Sequence, residues 1–112
     1  MTQAGMPSRT AEVFKALTNF AKDGKTPTYG EVGKIAGVYH RQVRQRLYAI
    51  WQWCDSNGHP HLNAIVVNAQ TRRPGMGYTP SGHQLSDSEF QTMREQVFAY
   101  NWDSVRFPGA LL

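Results

Sequence analysis

The sequence predicts a mainly α-helical fold with one small β hairpin. Four segments carry apolar residues at helical spacing, and two of them begin with a Thr-x-x-Glu or Ser-x-x-Glu capping box, which satisfies free amides at a helix start. A β-branched run at 61–70 leads into a Gly- and Pro-rich stretch, as a strand leads into a hairpin tip. Because 112 residues suit a single core, we expect one domain over 1–112, with residues 1–7 flexible.

The first two predicted helices are bounded by polar caps and a glycine. The first runs from a cap at Ser8 or Thr10 to about Lys22. The second begins at the Thr28–Glu31 capping box and ends at Gly37, because glycine adopts the left-handed conformation at low cost. Three residues of the second helix are expected to face the core: Val32, Ile35 and Ala36.

The third predicted helix, 38–54, has one apolar and one polar face. Helical geometry places a stripe of apolar residues on the side that we expect to be buried: Val43, Leu47, Ile50 and Cys54. The opposite side carries basic, amide and phenol groups: Arg41, Gln45, Tyr48 and Gln52, with Arg44 beside them. In the DNA major groove, arginine pairs with guanine and glutamine with adenine through two hydrogen bonds. A helix, a glycine turn and such a second helix are typical of a helix-turn-helix, although a helical hairpin with a solvated basic face has the same pattern.

A basic loop follows in the order found in winged-helix proteins. The stretch "TRRPGMGY" (71–78) comes after the predicted strand, so it is a candidate wing that brings Arg72 and Arg73 near the phosphate backbone. Paired arginines in a loop are more often simply solvated. A last helix is predicted after the Ser86–Glu89 capping box, with an aromatic tail that packs back on the body. The predicted fold is therefore a winged helix-turn-helix-like single domain.

The composition favours an anionic partner. The chain has a formal charge of +4 and a pI near 9.5, which suits nucleic acid. No apolar run approaches the length of a transmembrane helix, and we expect no membrane association. The first residues lack a charged-then-apolar leader, and a single cysteine fits a reducing compartment, so a cytoplasmic location is predicted.

The last residue of the buried stripe and two histidines that follow it are candidates for chemistry. Cys54, with His59 and His61 nearby in the sequence, offers a candidate nucleophile or part of a zinc site. Cys54 lies on the stripe expected to be buried, which favours a structural thiol, and a structural zinc site normally has four ligands. Asn68 suits a turn better than a ligand contact. We therefore predict a non-enzymatic protein without a metal or other cofactor.

The stretch "TPTYGEVGKIAGVYHRQVRQRL" (26–47) resembles the DNA-binding half of the alkylguanine-DNA alkyltransferases and the alkyltransferase-like proteins. Those families often read Thr-Tyr-Gly-Glu-Val-Ala-x-x-Ala-Gly and then Arg-x-Val-Gly-x-Ala-Leu. Here "TYGEVGKIAG" matches the first part, and "RQVRQRL" matches the second with Arg44 in place of the glycine, after a shorter link. A looser similarity continues through "HPHLNAIVVNAQTRRPGMGY" (59–78), where the family has a proline-rich strand, a Val-Val pair and a Gly-Gly-Tyr wing.

The resemblance implies roles in DNA binding. In that family the tyrosine at the helix start presses on a target phosphate, and the arginine of the second segment enters the base stack as a nucleotide flips out. These roles would fall to Tyr29 and to Arg41, with Arg44 as the alternative. The family's methyl-acceptor motif Pro-Cys-His-Arg is absent, as is its Pro-Trp-His-Arg-like counterpart, and the corresponding region reads "LNAIVVN". The resemblance thus implies a DNA-binding scaffold without alkyl-transfer chemistry.

Three classes of function remain open from the sequence, and the least favoured is an enzyme that uses Cys54 or the His59/His61 pair. The favoured one is a non-enzymatic protein that binds double-stranded DNA through about 28–54 and a basic wing at about 71–78, as a sensor of damaged or distorted DNA or as a regulator. The alternative is a small protein–protein interaction module, such as a phage or bacterial adaptor, because three Trp and five Tyr suit a hot-spot surface. The predicted DNA contacts are Tyr29, Arg41, Arg44, Gln45, Tyr48, Gln52, Arg72 and Arg73.

Overall fold

Helices make up most of the described chain. The structure is a computed structural model that describes residues 7–70 and 85–108. Its α-helices are α1 (Thr10–Lys22), α2 (Tyr29–Ala36), α3 (His40–Ser56) and α4 (Asp87–Ala99), and short 3₁₀ helices span Leu62–Ile65 and Trp102–Ser104. The prediction of a mainly helical fold is confirmed.

The core lies where α1, α2 and α3 pack against one another and against the first 3₁₀ helix. The predicted stripe of α3 is confirmed, since each of its residues is at most 1% exposed: Val43, Leu47, Ile50 and Cys54. Burying one large aliphatic side chain contributes about 1.5 to 3 kcal/mol, so this stripe fixes α3 firmly against the body. The opposite face of α3 is thereby left on the surface.

The junction between α2 and α3 follows the sequence prediction closely. Thr28 Oγ1 accepts a hydrogen bond from the amide of Glu31 (3.1 Å), and Glu31 Oε1 accepts one from the amide of Thr28 (2.8 Å), so the capping box is present. Gly37 ends α2 with a φ of 75°, and the turn 37–39 leads directly into α3. The carbonyl of Val38 sits so close to α2 that a Cβ on Gly33 would lie 2.4 Å from it. The two helices are therefore held at a close, fixed approach.

The start of α1 differs from the prediction. Its N-cap is Arg9, in the left-handed conformation with a φ of 62°, and no side chain caps the helix. Arg9 Nε donates instead to the carbonyl of Ala36 (2.8 Å), at the end of α2. The buried Arg46 donates from Nε to the carbonyl of Ser8 (3.0 Å). These two arginines tie the segment before α1 to α2 and α3.

The prediction of a strand at 61–70 is wrong. Residues 62–67 are all at most 4% exposed, and their first four form a 3₁₀ helix whose amide of Ala64 bonds back to the carbonyl of His61 (2.9 Å). Among the described residues the extended pairing amounts to one parallel bridge, between Thr28 and Val67. The segment packs against α1, α3 and α4, and in the described part of the chain no strand lies beside it to form a ladder.

The C-terminal helix and tail pack as predicted. The Ser86–Glu89 capping box starts α4, and Trp102, Val105 and Phe107 of the tail are buried. The ring of Phe107 stacks on that of Phe14 in α1, with 4.3 Å between centroids. The tail thus closes the core on the side of α1.

Two further predictions concern the surface and the ends of the described chain. Ile35, expected to face the core, is 62% exposed, because the short α2 buries the side that carries Val32, Gly33 and Ala36. The candidate wing at 71–78 lies outside the described residues, as do the first six positions of the segment expected to be flexible.

Within the part that is described, no helix combines the length and the apolar character that crossing a membrane requires.

Candidate nucleic-acid interface

An open groove of about 680 Å³ lies where the N-terminal ends of α2 and α3 meet the chain that follows the 3₁₀ helix. Among the described residues, its lining combines basic, aromatic and amide groups and includes no acidic side chain: Thr28, Tyr29, Gly30, His40, Arg41, Arg44, Asn68, Ala69 and Gln70. The groove therefore brings together three of the predicted DNA contacts, Tyr29, Arg41 and Arg44.

The two groove arginines differ from the other arginines that the structure describes. Arg9, Arg46, Arg94 and Arg106 each donate hydrogen bonds to main-chain carbonyls. Within the described ranges, Arg41 and Arg44 are exposed and have neither a hydrogen-bond partner nor an ion-pair partner. Since a guanidinium carries five fixed donors and matches phosphate in geometry, this pair forms a ready anion-binding surface.

Tyr29 forms one wall of the groove and is held in place by the core. It is the first residue of α2, directly after the Thr28 cap, and its half-buried ring packs against the core residues. Burial raises the pKa of the Tyr29 phenol, while the positive charge of Arg44 acts in the opposite direction. The phenol is therefore neutral near pH 7, and its hydroxyl can donate a hydrogen bond beside the Arg44 charge.

The N-terminus of α3 adds to the positive character of the groove. No side chain caps this helix, and its first turn contains no acidic residue. The positive end of its dipole therefore lies at the groove, next to His40 and Arg41. A helix end of this kind favours an anionic group, such as a phosphate or a carboxylate.

The remaining predicted contacts on α3 extend away from the groove. Gln45, Tyr48 and Gln52 are all exposed, as expected from the helical spacing, but they are not among the residues that line the groove. Arg72 and Arg73 lie outside the described residues. The exposed face of α3 thus consists of one end in the groove, with Arg41 and Arg44, and a polar end outside the groove.

The sequence pointed to some groove residues only weakly. Asn68 forms the predicted turn, because its Oδ1 accepts a hydrogen bond from the amide of Gln70 (2.8 Å), and both residues also line the groove. They reach it because the amide of Val67 donates to the carbonyl of Pro27 (2.9 Å), next to the start of α2. The Asx-turn pattern of "NAQ" predicts the local turn. The long-range contact between Val67 and Pro27 has no signal in the sequence.

Cys54 has the properties of a structural thiol. It is fully buried, and burial raises the pKa of the thiol from 9.0 to about 11. A thiol that stays protonated near pH 7 is a weak nucleophile. His59 Nδ1 lies 2.7 Å from the Tyr100 hydroxyl, and His61 Nε2 lies 3.1 Å from Asp55 Oδ1, so both histidines are engaged. In the described part of the chain, no three His, Cys, Asp or Glu side chains are grouped to hold a metal ion.

Comparison of the chain with protein-family models, with curated proteins and with solved structures found no match. The description of the candidate interface therefore depends only on the residues and geometry of this chain.

Proposed function

We propose that this protein is a non-enzymatic DNA-binding protein. It docks the groove and the exposed face of α3 on double-stranded DNA, with Arg41 and Arg44 on phosphates or base edges and Tyr29 on a phosphate. Gln45, Tyr48 and Gln52 extend the contact along α3. In the winged-helix-like form of this proposal, residues 71–78 act as the wing, and Arg72 and Arg73 contact the flanking backbone.

The unpartnered arginine pair is the observation that carries the proposal. Four of the six described arginines are used inside the fold, while Arg41 and Arg44 remain exposed in a groove without a described acidic residue. Two like charges one helical turn apart repel each other slightly, and an anionic partner would remove that repulsion. A phosphate backbone offers such a pair repeated negative charge.

The motif similarity over 26–47 points to the same residues. Tyr29 and Arg41, to which the alkyltransferase resemblance assigns DNA contacts, line one groove with Arg44. Such a protein would either sense damaged or distorted DNA or act as a regulator, and the two roles differ in whether a modified base raises the affinity.

A protein–protein module on the same fold is the second candidate. The exposure of Ile35 (62%) favours it, because a large aliphatic side chain on a helix surface suits a protein partner. The tryptophans do not contribute, since Trp51 and Trp102 are buried and Trp53 is half-buried among other rings. Among the described residues, the other large exposed side chains with apolar surface are Tyr39 and Tyr48.

Fluorescence anisotropy of labelled duplexes tests the proposal. Wild type, Arg41→Ala, Arg44→Ala and Arg106→Ala are titrated onto a plain duplex and onto one that carries an alkylated guanine. Arg106 is an exposed arginine that donates to the carbonyl of Asp103 (3.0 Å) and does not line the groove, so its variant removes the same charge elsewhere. Each groove variant should weaken binding by about tenfold and the control by less than about twofold.

The outcomes separate the candidate roles. A preference of wild type for the alkylated duplex identifies a lesion sensor, whereas equal affinity favours a regulator. Equal weakening by Arg41→Ala and Arg106→Ala would mean that only net charge matters and would contradict the docking surface. An absence of binding at low salt would refute the DNA role and favour the protein-binding module.

A further inference from the structure

The exposed apolar side chains are concentrated on one part of the molecule. Among the described residues, three large apolar or aromatic side chains are exposed: Ile35 at 62%, Tyr39 at 60% and Tyr48 at 40%. All three belong to α2, to α3 or to the turn between them. A single exposed ring is ordinary on a protein surface, so the groups around it decide whether it is suited to binding.

Tyr39 lies directly next to the groove. It is the N-cap residue of α3, and its side chain makes no capping hydrogen bond. The ring contacts the imidazole of His40, with 4.6 Å between centroids and 49° between planes. His40 in turn lines the groove with Arg41 and Arg44. The exposed ring of Tyr39 thus packs on His40. His40 lies in the groove with the two guanidiniums that have no described partner.

This combination matches the chemistry of a nucleotide whose base is not stacked in a duplex. An anionic phosphate fits the arginine pair, and the flat face of a base fits an aromatic ring, which is the arrangement found in proteins that bind unpaired strands. In an intact duplex the faces of the bases are covered by their neighbours. A ring at the surface therefore gains stacking energy only from a base that is unpaired.

We propose that Tyr39 is a base-stacking residue and that the preferred ligand is DNA with an unpaired base beside the phosphates held by Arg41 and Arg44. This inference rests on the proposed DNA-binding function and narrows its ligand. The described groove lining has two free guanidiniums and no acidic group. This lining favours nucleic acid over an apolar protein surface as the partner that Tyr39 contacts.

The experiment compares three duplexes that differ at one position. The first carries one unpaired thymine, the second carries an abasic nucleotide at that site, and the third is fully paired. Wild type should bind the unpaired thymine most tightly, and Tyr39→Ala should lose between about 5-fold and about 100-fold of affinity for that duplex alone. Tyr39→Phe, which keeps the ring, should stay within about twofold of wild type.

Ile35→Ala is the matched control, because it removes an equally exposed apolar side chain that cannot stack on a base. Ile35→Ala should leave the affinities for all three duplexes unchanged. The variants at Ile35 and Tyr39 should unfold at a temperature similar to that of wild type, because both side chains are on the surface. Equal losses on the three duplexes, or no loss in Tyr39→Ala, would overturn the stacking role. Arg41→Ala distinguishes this failure from failure of DNA binding itself, since it should weaken binding to the abasic and paired duplexes as well.

Discussion

Arg44 and Arg46 are two positions apart on α3 and have opposite environments. Arg44 is exposed in the groove, whereas Arg46 is 8% exposed and donates from Nε to the carbonyl of Ser8 (3.0 Å) and from Nη1 to that of Gln42 (2.9 Å). Helical spacing accounts for the difference, because Arg46 falls beside Val43 and Ile50 on the buried side. Only part of the positive charge of this helix therefore lies on its exposed face.

The buried thiol of Cys54 makes stability depend on pH in the alkaline range. Its pKa is 9.0 when the thiol is exposed and about 11 in the fold, so the unfolded chain loses the proton first as the pH rises. The stabilisation is complete below about pH 9 and is lost as the pH rises towards about 11. The free energy of unfolding of wild type should fall by about 2 to 3 kcal/mol more than that of Cys54→Ala over this range.

Urea unfolding of both proteins at several pH values measures this difference. The raised pKa of Tyr29 affects both proteins equally and cancels in the comparison. Parallel pH profiles for the two proteins would show that the thiol is not buried as described.

At the level of elements, the approach of α2 to the turn before α3 depends on one missing Cβ. A Cβ on Gly33 would lie 2.4 Å from the Val38 carbonyl and 3.2 Å from Val43 Cγ2. We expect Gly33→Ala to lower the free energy of unfolding by more than about 2 kcal/mol, because the turn must shift.

Gly30→Ala is the matched control on the same helix. Its added Cβ would meet only Thr28 Oγ1, at 4.0 Å, and alanine favours a helix over glycine, so it should stabilise the protein by up to about 1 kcal/mol. Chemical denaturation of both variants gives the comparison. If the two substitutions had the same effect, the close approach at Gly33 would not be structurally important.

The helices could be predicted from the sequence because their signals are local. Two capping boxes, the glycine that ends α2 and the apolar stripe of α3 are all present as expected. The strand at 61–70 could not be predicted correctly, since a short β-branched run suits either a strand or a fully buried segment. The prediction that Ile35 faces the core fails for a different reason. The helix α2 has only eight residues, which are too few to define its buried side from spacing alone.

The candidate interface was only partly predictable for a related reason. The exposed side of α3 follows from periodicity, and Tyr29 follows from its place after the Thr28 cap. The groove itself arises where residues 68–70 meet the starts of α2 and α3, through the hydrogen bond from Val67 to Pro27 (2.9 Å). Contacts between residues so far apart in the chain leave no pattern in a single sequence.

For the whole molecule, we expect the C-terminal tail to be an essential part of the core. Phe107 is 4% exposed, and its ring packs 4.3 Å from that of Phe14 and 4.8 Å from that of Trp53. Phe107→Ala should therefore lower the free energy of unfolding by about 3 kcal/mol or more. Asp103→Asn breaks the ion pair with Lys22, but both side chains are largely exposed, so the loss should be at most about 1 kcal/mol.

Thermal and urea unfolding of these two variants rank the contributions of the tail. A larger effect from Asp103→Asn than from Phe107→Ala would mean that the tail is held by surface charge rather than by the aromatic cluster.

The distribution of charge over the whole molecule carries the central claim. The chain has a formal charge of +4, and the two arginines without a described partner share one groove with the N-terminus of α3. Each phosphate that an arginine neutralises releases counterions, so the affinity for DNA should fall as the salt concentration rises.

The most direct test is the slope of log affinity against log salt concentration, measured on one duplex for wild type and Arg41→Ala. With both groove arginines on phosphates, wild type should give a slope of about −2 or steeper. Arg41→Ala should make the slope shallower by about 1. Binding that does not depend on salt, or an unchanged slope in the variant, would contradict the assignment of this groove to the DNA backbone.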